Sequence, residues 1–235
     1  MFNEKKTLAP LLQKILTVPL EAAGFESEII VVDDGSTDGS SEETQAFPTI
    51  TCLRLEKNQG KGNAVRRGIE NTSGDFVLVQ DGDLEYDPED YLPMLQALSG
   101  AHDQTRTAIY GSRTLGQWEK FGWTVFPGRH PQQAFGPWLA GVVLSAWTFL
   151  LYRQWISDTL TAYKIYPRDV IGAMTTQTRG FETDHEITAK LIRAGIRITE
   201  VPIRYEPRTT EMGKKIRARD GAIAIWTLLR FRFSR

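Results

Sequence analysis

Apolar and polar positions change rhythm several times along this chain, and each rhythm predicts an element. Leu8, Leu11, Leu12, Ile15 and Leu16 recur three and four apart, which predicts a helix from Thr7 to Leu20 with Thr7 as its N-cap. Glu28 to Val32 closes on a run of β-branched residues and reads as a strand buried on both faces, as in a parallel sheet. The polar turn from Asp33 to Ser40 leads towards a second helix. Thr49 to Leu55 predicts another strand, Asn58 to Asn63 a glycine loop, Ala64 to Glu70 a helix and Phe76 to Gln80 a third strand. Further on, Ala108 to Gly111 predicts a strand and Glu186 to Ala194 a helix. Ile196 to Tyr205 reads as an edge strand, because Pro202 has no amide to give a ladder. This alternation predicts a single-domain α/β sandwich with a mostly parallel central sheet. A helix comes first where a strand normally feeds it, so the first strand is missing from the pattern and an upstream start is expected.

Composition narrows the class. The chain has 235 residues, 41% hydrophobic and 24% charged, the balance of a packed globular protein. Its one cysteine, Cys52, excludes an internal disulfide framework and suits a reducing compartment. The net charge of −1 gives no electrostatic case for nucleic acid. Charge is nevertheless uneven: from Arg204 onward nine Lys/Arg face three Asp/Glu, and the remainder is acidic. An anionic partner is therefore expected at one end. The N-terminus lacks the apolar core of a signal peptide. The apolar run from Trp138 to Leu151 is shorter than the roughly 20 residues of a bilayer span. It is compatible with a buried helix, a helix in the membrane interface anchored by Trp138, Trp147, Tyr152 and Trp155, or a true span.

Three constellations could carry chemistry. Asp81, Asp83 and Glu85 follow a strand directly, at alternate positions around Gly82, and a turn there lets the carboxylates converge. Packed carboxylates repel unless a cation lies between them, and hard Mg²⁺ or Mn²⁺ prefers oxygen ligands. The alternative is a solvated acidic turn. Asp33 and Asp34 end a neighbouring strand, where a carboxylate can accept hydrogen bonds from a ribose or base edge. The Gly60 loop is either a nucleotide cradle or an ordinary connection, since neither the dinucleotide nor the P-loop glycine pattern is present. Arg204, Arg208, Lys214, Lys215, Arg217 and Arg219 form either a diphosphate clamp or a solvated face. His102, His130 and His185 are scattered without zinc spacing, and His185 reads as a helix-surface or supporting residue.

Phe2-Asn3-Glu4, Val31 through Gly39, Asn58 through Gly62 and Gln80 through Pro88 together resemble family 2 glycosyltransferases. Gly111-Ser112-Arg113, Asp158 through Lys164, Asp184 with Glu186, and Glu200-Val201-Pro202-Ile203 through Arg208 extend the resemblance over nearly the whole chain. The branch it looks like is that of dolichyl-phosphate mannose synthase and related polyprenyl-phosphate glycosyltransferases. The resemblance implies a glycosyltransferase A-type fold, residues 1–110 forming the nucleotide-binding half. Residues 111–235 would form the acceptor half, with an interfacial helix at about 137–156 and a basic tail. It implies Mg²⁺ or Mn²⁺ at Asp81, Asp83 and Glu85, base and ribose contacts from Phe2, Glu4, Val32 and Asp34, and diphosphate or acceptor-phosphate contacts from Arg113, Arg208 and Lys214. Phe2 stands where the family usually has Tyr, and Gly82 where it has Ala.

The expected reaction is inverting transfer of a hexose from a nucleoside diphosphate sugar, of GDP-mannose or UDP-glucose type, to a polyprenyl or dolichyl phosphate. The expected location is the cytoplasmic face of a membrane, peripherally bound. An ionised phosphate needs no strong base; a hydroxyl acceptor would make Asp184 or Glu186 the candidate base. Two rivals are a nucleotidyltransferase, whose glycine-arginine loop is not visible, and a non-catalytic nucleotide-sugar-binding subunit.

Overall fold

The computed structural model describes residues 1–122, 126–131, 135–207 and 218–234. In chain order the elements are α1 (Lys5–Thr17), β1 (Ile30–Asp33), β2 (Thr51–Arg54), α2 (Lys61–Asn71), β3 (Phe76–Val79), α3 (Tyr91–Ser99), β4 (Thr107–Ser112), α4 (Arg113–Phe121), α5 (Phe135–Tyr152), β5 (Lys164–Pro167), α6 (Arg168–Gly172), α7 (Thr183–Arg193), β6 (Arg197–Pro202) and α8 (Ala218–Phe233).

Among the described residues the strands fall into two sheets. β1 and β2 pair in parallel, and β3, β5, β4 and β6 form a second sheet in that order. β3, β4 and β6 run the same way and β5 runs against them, so five of the six strands fit the parallel expectation within their own sheets. β6 stands at the edge, where Pro202 is tolerated.

Alternation along the strands divides the core. Ile109 and Ile165 face Met94 and Leu98 of α3 on one side of the larger sheet. Ala108, Tyr110 and Tyr166 face Ile187 and Leu191 of α7 on the other. α1 packs Leu8 and Leu12 on Val31 of β1. α5 and α8 meet around Leu144, Leu228 and Phe231.

The segment Met1–Glu4 lies between the ends of β1 and β3. The Met1 amine donates to the Val32 carbonyl and the Asp34 amide donates to the Met1 carbonyl, the two bonds of a parallel rung opposite Asp33. On the other side Gly82 approaches so closely that a Cβ there would lie 2.9 Å from that of Met1. Among the described residues β1 and β3 share no ladder; besides this segment and the helices, Glu28 ahead of β1 accepts from Thr72, Ser73 and Gly74 ahead of β3, and all four residues of β3 keep some exposure. Burial of these strands is accordingly less complete than their β-branched sequences predict.

Several local expectations are corrected. Thr7 lies inside α1, where its hydroxyl bonds back to the Glu4 carbonyl and to the Gly82 carbonyl, so Glu4 takes the cap position. The element after the Asp33 turn is a 3₁₀ segment, Ser41–Ala46. α5 is not a buried helix: only Leu144, Ser145 and Thr148 are enclosed, while Leu139, Val142, Val143, Phe149 and Leu150 are exposed. Its 18 residues, with a mean hydropathy of 1.4, are long and apolar enough to cross a membrane by length and composition.

Candidate active site

The glycine loop touches the residues at the carboxyl ends of both β1 and β3, Asp34 through its amides and Asp81 through Lys61. Asp34 is buried and accepts one loop amide on each oxygen, from Gln59 and from Gly60, both at 2.8 Å. Asp33 accepts the Ser36 amide at 2.9 Å, closing the turn after β1. Gly60 has φ +94°, and a Cβ on it would lie 2.4 Å from the Arg179 carbonyl oxygen. Gly62 donates its amide to that carbonyl at 2.8 Å and is pressed against Thr183. The loop is thereby stitched to the segment that precedes α7.

This stitching brings Lys61, the first residue of α2, to the carboxylates. Its ammonium lies 3.0 Å from Asp81 Oδ1 and 3.3 Å from Asp184 Oδ2. Lys164 of β5, fully buried, lies 3.5 Å from the other oxygen of Asp184. Burial opposes charge on Lys61, but Asp184 and Asp81 outweigh it and raise its pKa. Burial pushes Asp184 up, and Lys164 and Lys61 more than reverse that, leaving it below the usual carboxylate range. Burial holds Lys164 below the ordinary lysine value despite Asp184. His185, 2% exposed, is pushed down to about 4 by burial and by Lys164, so it is neutral at pH 7 and is not a helix-surface residue.

The other expected site residues are distributed around this centre. Asp83 and Glu85 follow Gly82 in a tight turn, with the Glu85 amide on the Asp83 carboxylate at 3.3 Å. Glu85 accepts the Tyr205 hydroxyl at 3.0 Å. Among the described residues no three acidic, histidine or cysteine side chains converge as a closed metal cage, so the expected convergence of all three carboxylates is not found. Glu4 packs its side-chain carbons near Gly82, Phe2 is half-buried beside it, and Val32 gives its carbonyl to Met1. Arg113 opens α4 and forms a two-pronged pair with buried Asp158 at 2.6 and 2.7 Å, its guanidinium over the Tyr205 ring. Glu186 is fully buried in another direction: its oxygens accept the amides of Gln177 and Thr178 and hold Lys190. Arg208 and Lys214 lie outside the described residues.

Lys61 and Lys164 were not singled out as site residues by their sequence context. Lys61 carried a signal in its place within the glycine loop, and Lys164 in being a charged residue between Tyr163 and Ile165 on a strand.

The donor set at the end of β3 is made of hard carboxylate oxygens, and Asp81 already holds a cationic group on both of them. An open set of one or two carboxylates suits Mg²⁺ or Mn²⁺, which keep positions for water and phosphate oxygens.

The α/β sandwich, with acidic strand ends tied to a glycine loop, matches the glycosyltransferase A-type fold of solved glycosyltransferase structures. Residues 1–159 match the model of Glycosyl transferase family 2, and the chain belongs to that family of glycosyltransferases. It is 28% identical over 233 residues to glycosyltransferase AglJ of Haloferax volcanii, covering 97% of this chain and 69% of the relative. Among solved structures, glucosyl-3-phosphoglycerate synthase of Mycobacterium tuberculosis in complex with UDP superimposes with a TM-score of 0.70 at 18% identity, over 99% of this chain and 77% of that one. Mannosyl-3-phosphoglycerate synthase of Rubrobacter xylanophilus gives 0.66 at 16% identity, over 99% and 70%. A further mycobacterial complex, holding Mn²⁺, UDP and phosphoglyceric acid, gives 0.66 at 19% identity, over 100% of this chain and 77% of that one. At these identities the structures establish a shared fold.

Proposed function

We propose that the chain transfers a hexose from a nucleoside diphosphate sugar, of GDP-mannose or UDP-glucose type, to a polyprenyl or dolichyl phosphate, with inversion, at a membrane surface. One observation carries the choice of acceptor: the carboxylates best placed to deprotonate a hydroxyl are already engaged. Asp184 has an ammonium on each oxygen, Asp158 holds Arg113, and Glu186 is spent on Gln177, Thr178 and Lys190. A carboxylate held ionised by two lysines is a poor base, whereas a phosphate is a nucleophile without losing a proton.

In this reading Asp81 and Asp83 hold Mg²⁺ or Mn²⁺, which supplies charge neutralisation for the departing diphosphate. Phe2, Glu4, Val32 and Asp34 border the base and ribose, Asp34 by fixing the loop. Arg113, braced by Asp158, faces the acceptor phosphate, with Arg208 and Lys214 adding positive charge. Lys61 and Lys164 keep Asp184 charged and in place. The apolar faces of α5 and α8 favour a lipid-borne acceptor: Leu150, Trp226 and Phe233 are 58, 63 and 75% exposed, beside Arg230 and Arg232.

The test is sugar transfer by purified protein from UDP-glucose and GDP-mannose, with Mn²⁺, to a short polyprenyl phosphate and to the matching polyprenol. Product is expected with the phosphate alone, and Asp83→Ala should lower the rate at least 100-fold. Transfer to the polyprenol or to a water-soluble hydroxyl acceptor only would remove the lipid-phosphate reading.

A further inference from the structure

The glycine loop delivers a lysine to the carboxylate that the proposed metal would need. Lys61 is positioned from three sides: Asp34 clamps the two preceding amides, Gly62 bonds to the Arg179 carbonyl, and Thr183 closes against Gly62. Its ammonium therefore reaches Asp81 from a fixed base rather than as a free surface side chain. The Lys61 and Asp81 side chains are 19 and 30% exposed, open enough for exchange but sheltered enough for the pair to count. Asp184 has a second ammonium in Lys164, so it stays paired when Lys61 moves, whereas among the described residues Lys61 is the one lysine or arginine paired with Asp81, with the Met1 ammonium adding a weaker attraction.

We propose that Lys61 is a resident placeholder for the divalent cation: without donor it neutralises Asp81, and the metal gains that carboxylate only by displacing it. This rests on the metal reading above. Two cations cannot share one carboxylate at close range without repulsion, so the free protein binds the metal weakly by itself. A nucleoside diphosphate changes the balance, because its oxygens add ligands to the metal and offer the displaced ammonium a new anion. Metal and donor are then taken up together, and a metal-loaded, donor-free site is rarely populated.

Mn²⁺ binding, followed by electron paramagnetic resonance of the free ion, tests this without any turnover. Lys61→Gln is expected to bind Mn²⁺ alone about tenfold more tightly than the wild type, within the usual range for coupled sites. Lys61→Arg, which keeps the charge, should bind it as weakly as the wild type. UDP or GDP should raise the Mn²⁺ affinity of the wild type far more than that of Lys61→Gln. Equal or weaker Mn²⁺ binding by Lys61→Gln, or tightening in Lys61→Arg as well, overturns the placeholder and leaves the metal reading standing. Should Lys61→Gln not fold, wild-type protein that binds Mn²⁺ as tightly without nucleotide as with it overturns the placeholder too. Absence of Mn²⁺ binding in every protein with either nucleotide overturns the metal reading itself.

Discussion

The residues around Asp184 show how much a neighbour's charge decides. His185 is adjacent to it in sequence but points into a dry interior where its Nδ1 has no hydrogen-bond partner, and Lys164 adds repulsion. Its folded pKa of about 4 lies below the usual 6.5, so the folded state refuses a proton that the unfolded chain accepts. Stability is then complete above pH 6.5 and is lost as pH falls from 6.5 towards 4. The full loss is about 3 kcal/mol, from 1.36 kcal/mol per pKa unit. Urea unfolding at pH 7 and pH 4.5 checks this, and His185→Gln should flatten that part of the profile; an unchanged slope contradicts it. Spacing after a buried strand made Asp81 and Asp83 visible in the sequence, and the family resemblance pointed to Arg113. Partnership was not visible: that Glu85 turns to Tyr205, that Glu186 serves its own loop and that Lys164 underlies Asp184 are consequences of three-dimensional proximity.

Elements were legible where periodicity was strong. β1, β2, β3, β4, α2, α7 and β6 lie where the apolar patterns put them, with ends shifted by a few residues. β5 was missed because Lys164 and the antiparallel course break the expected run, although its neighbours Ile165 and Tyr166 are wholly buried. α3 was missed although its face is apolar, since Pro93 lies within its first turn, where proline is tolerated. The glycine loop and α7 act as one piece, and this has a consequence for substitution. Gly60→Ala places a methyl against the Arg179 carbonyl at a backbone angle that alanine avoids, so the loop must shift. Nucleotide affinity is expected to fall at least tenfold, while the melting temperature changes by no more than a few degrees. Isothermal titration with UDP and GDP measures the first and calorimetry the second; unaltered affinity would detach the loop from the site.

On the scale of the whole molecule, the candidate site bridges two sheets that share no ladder among the described residues. Asp34 and the glycine loop belong to the β1 side, and Asp81 belongs to the β3 side. A ligand held by both sides stabilises the state in which they are correctly aligned. With UDP and Mn²⁺, amide exchange is expected to slow in Ile30–Asp33 and Phe76–Val79 together, and the melting temperature to rise. Slowing confined to one sheet would place the nucleotide elsewhere.

The short stretch from Met1 to Glu4 thus has an influence out of proportion to its length. It is mortar between two slabs that share no ladder among the described residues, set beside the place where substrate would lie. Anything that loosens it, such as Gly82→Val crowding Met1, should blunt catalysis and resilience to heat in the same stroke.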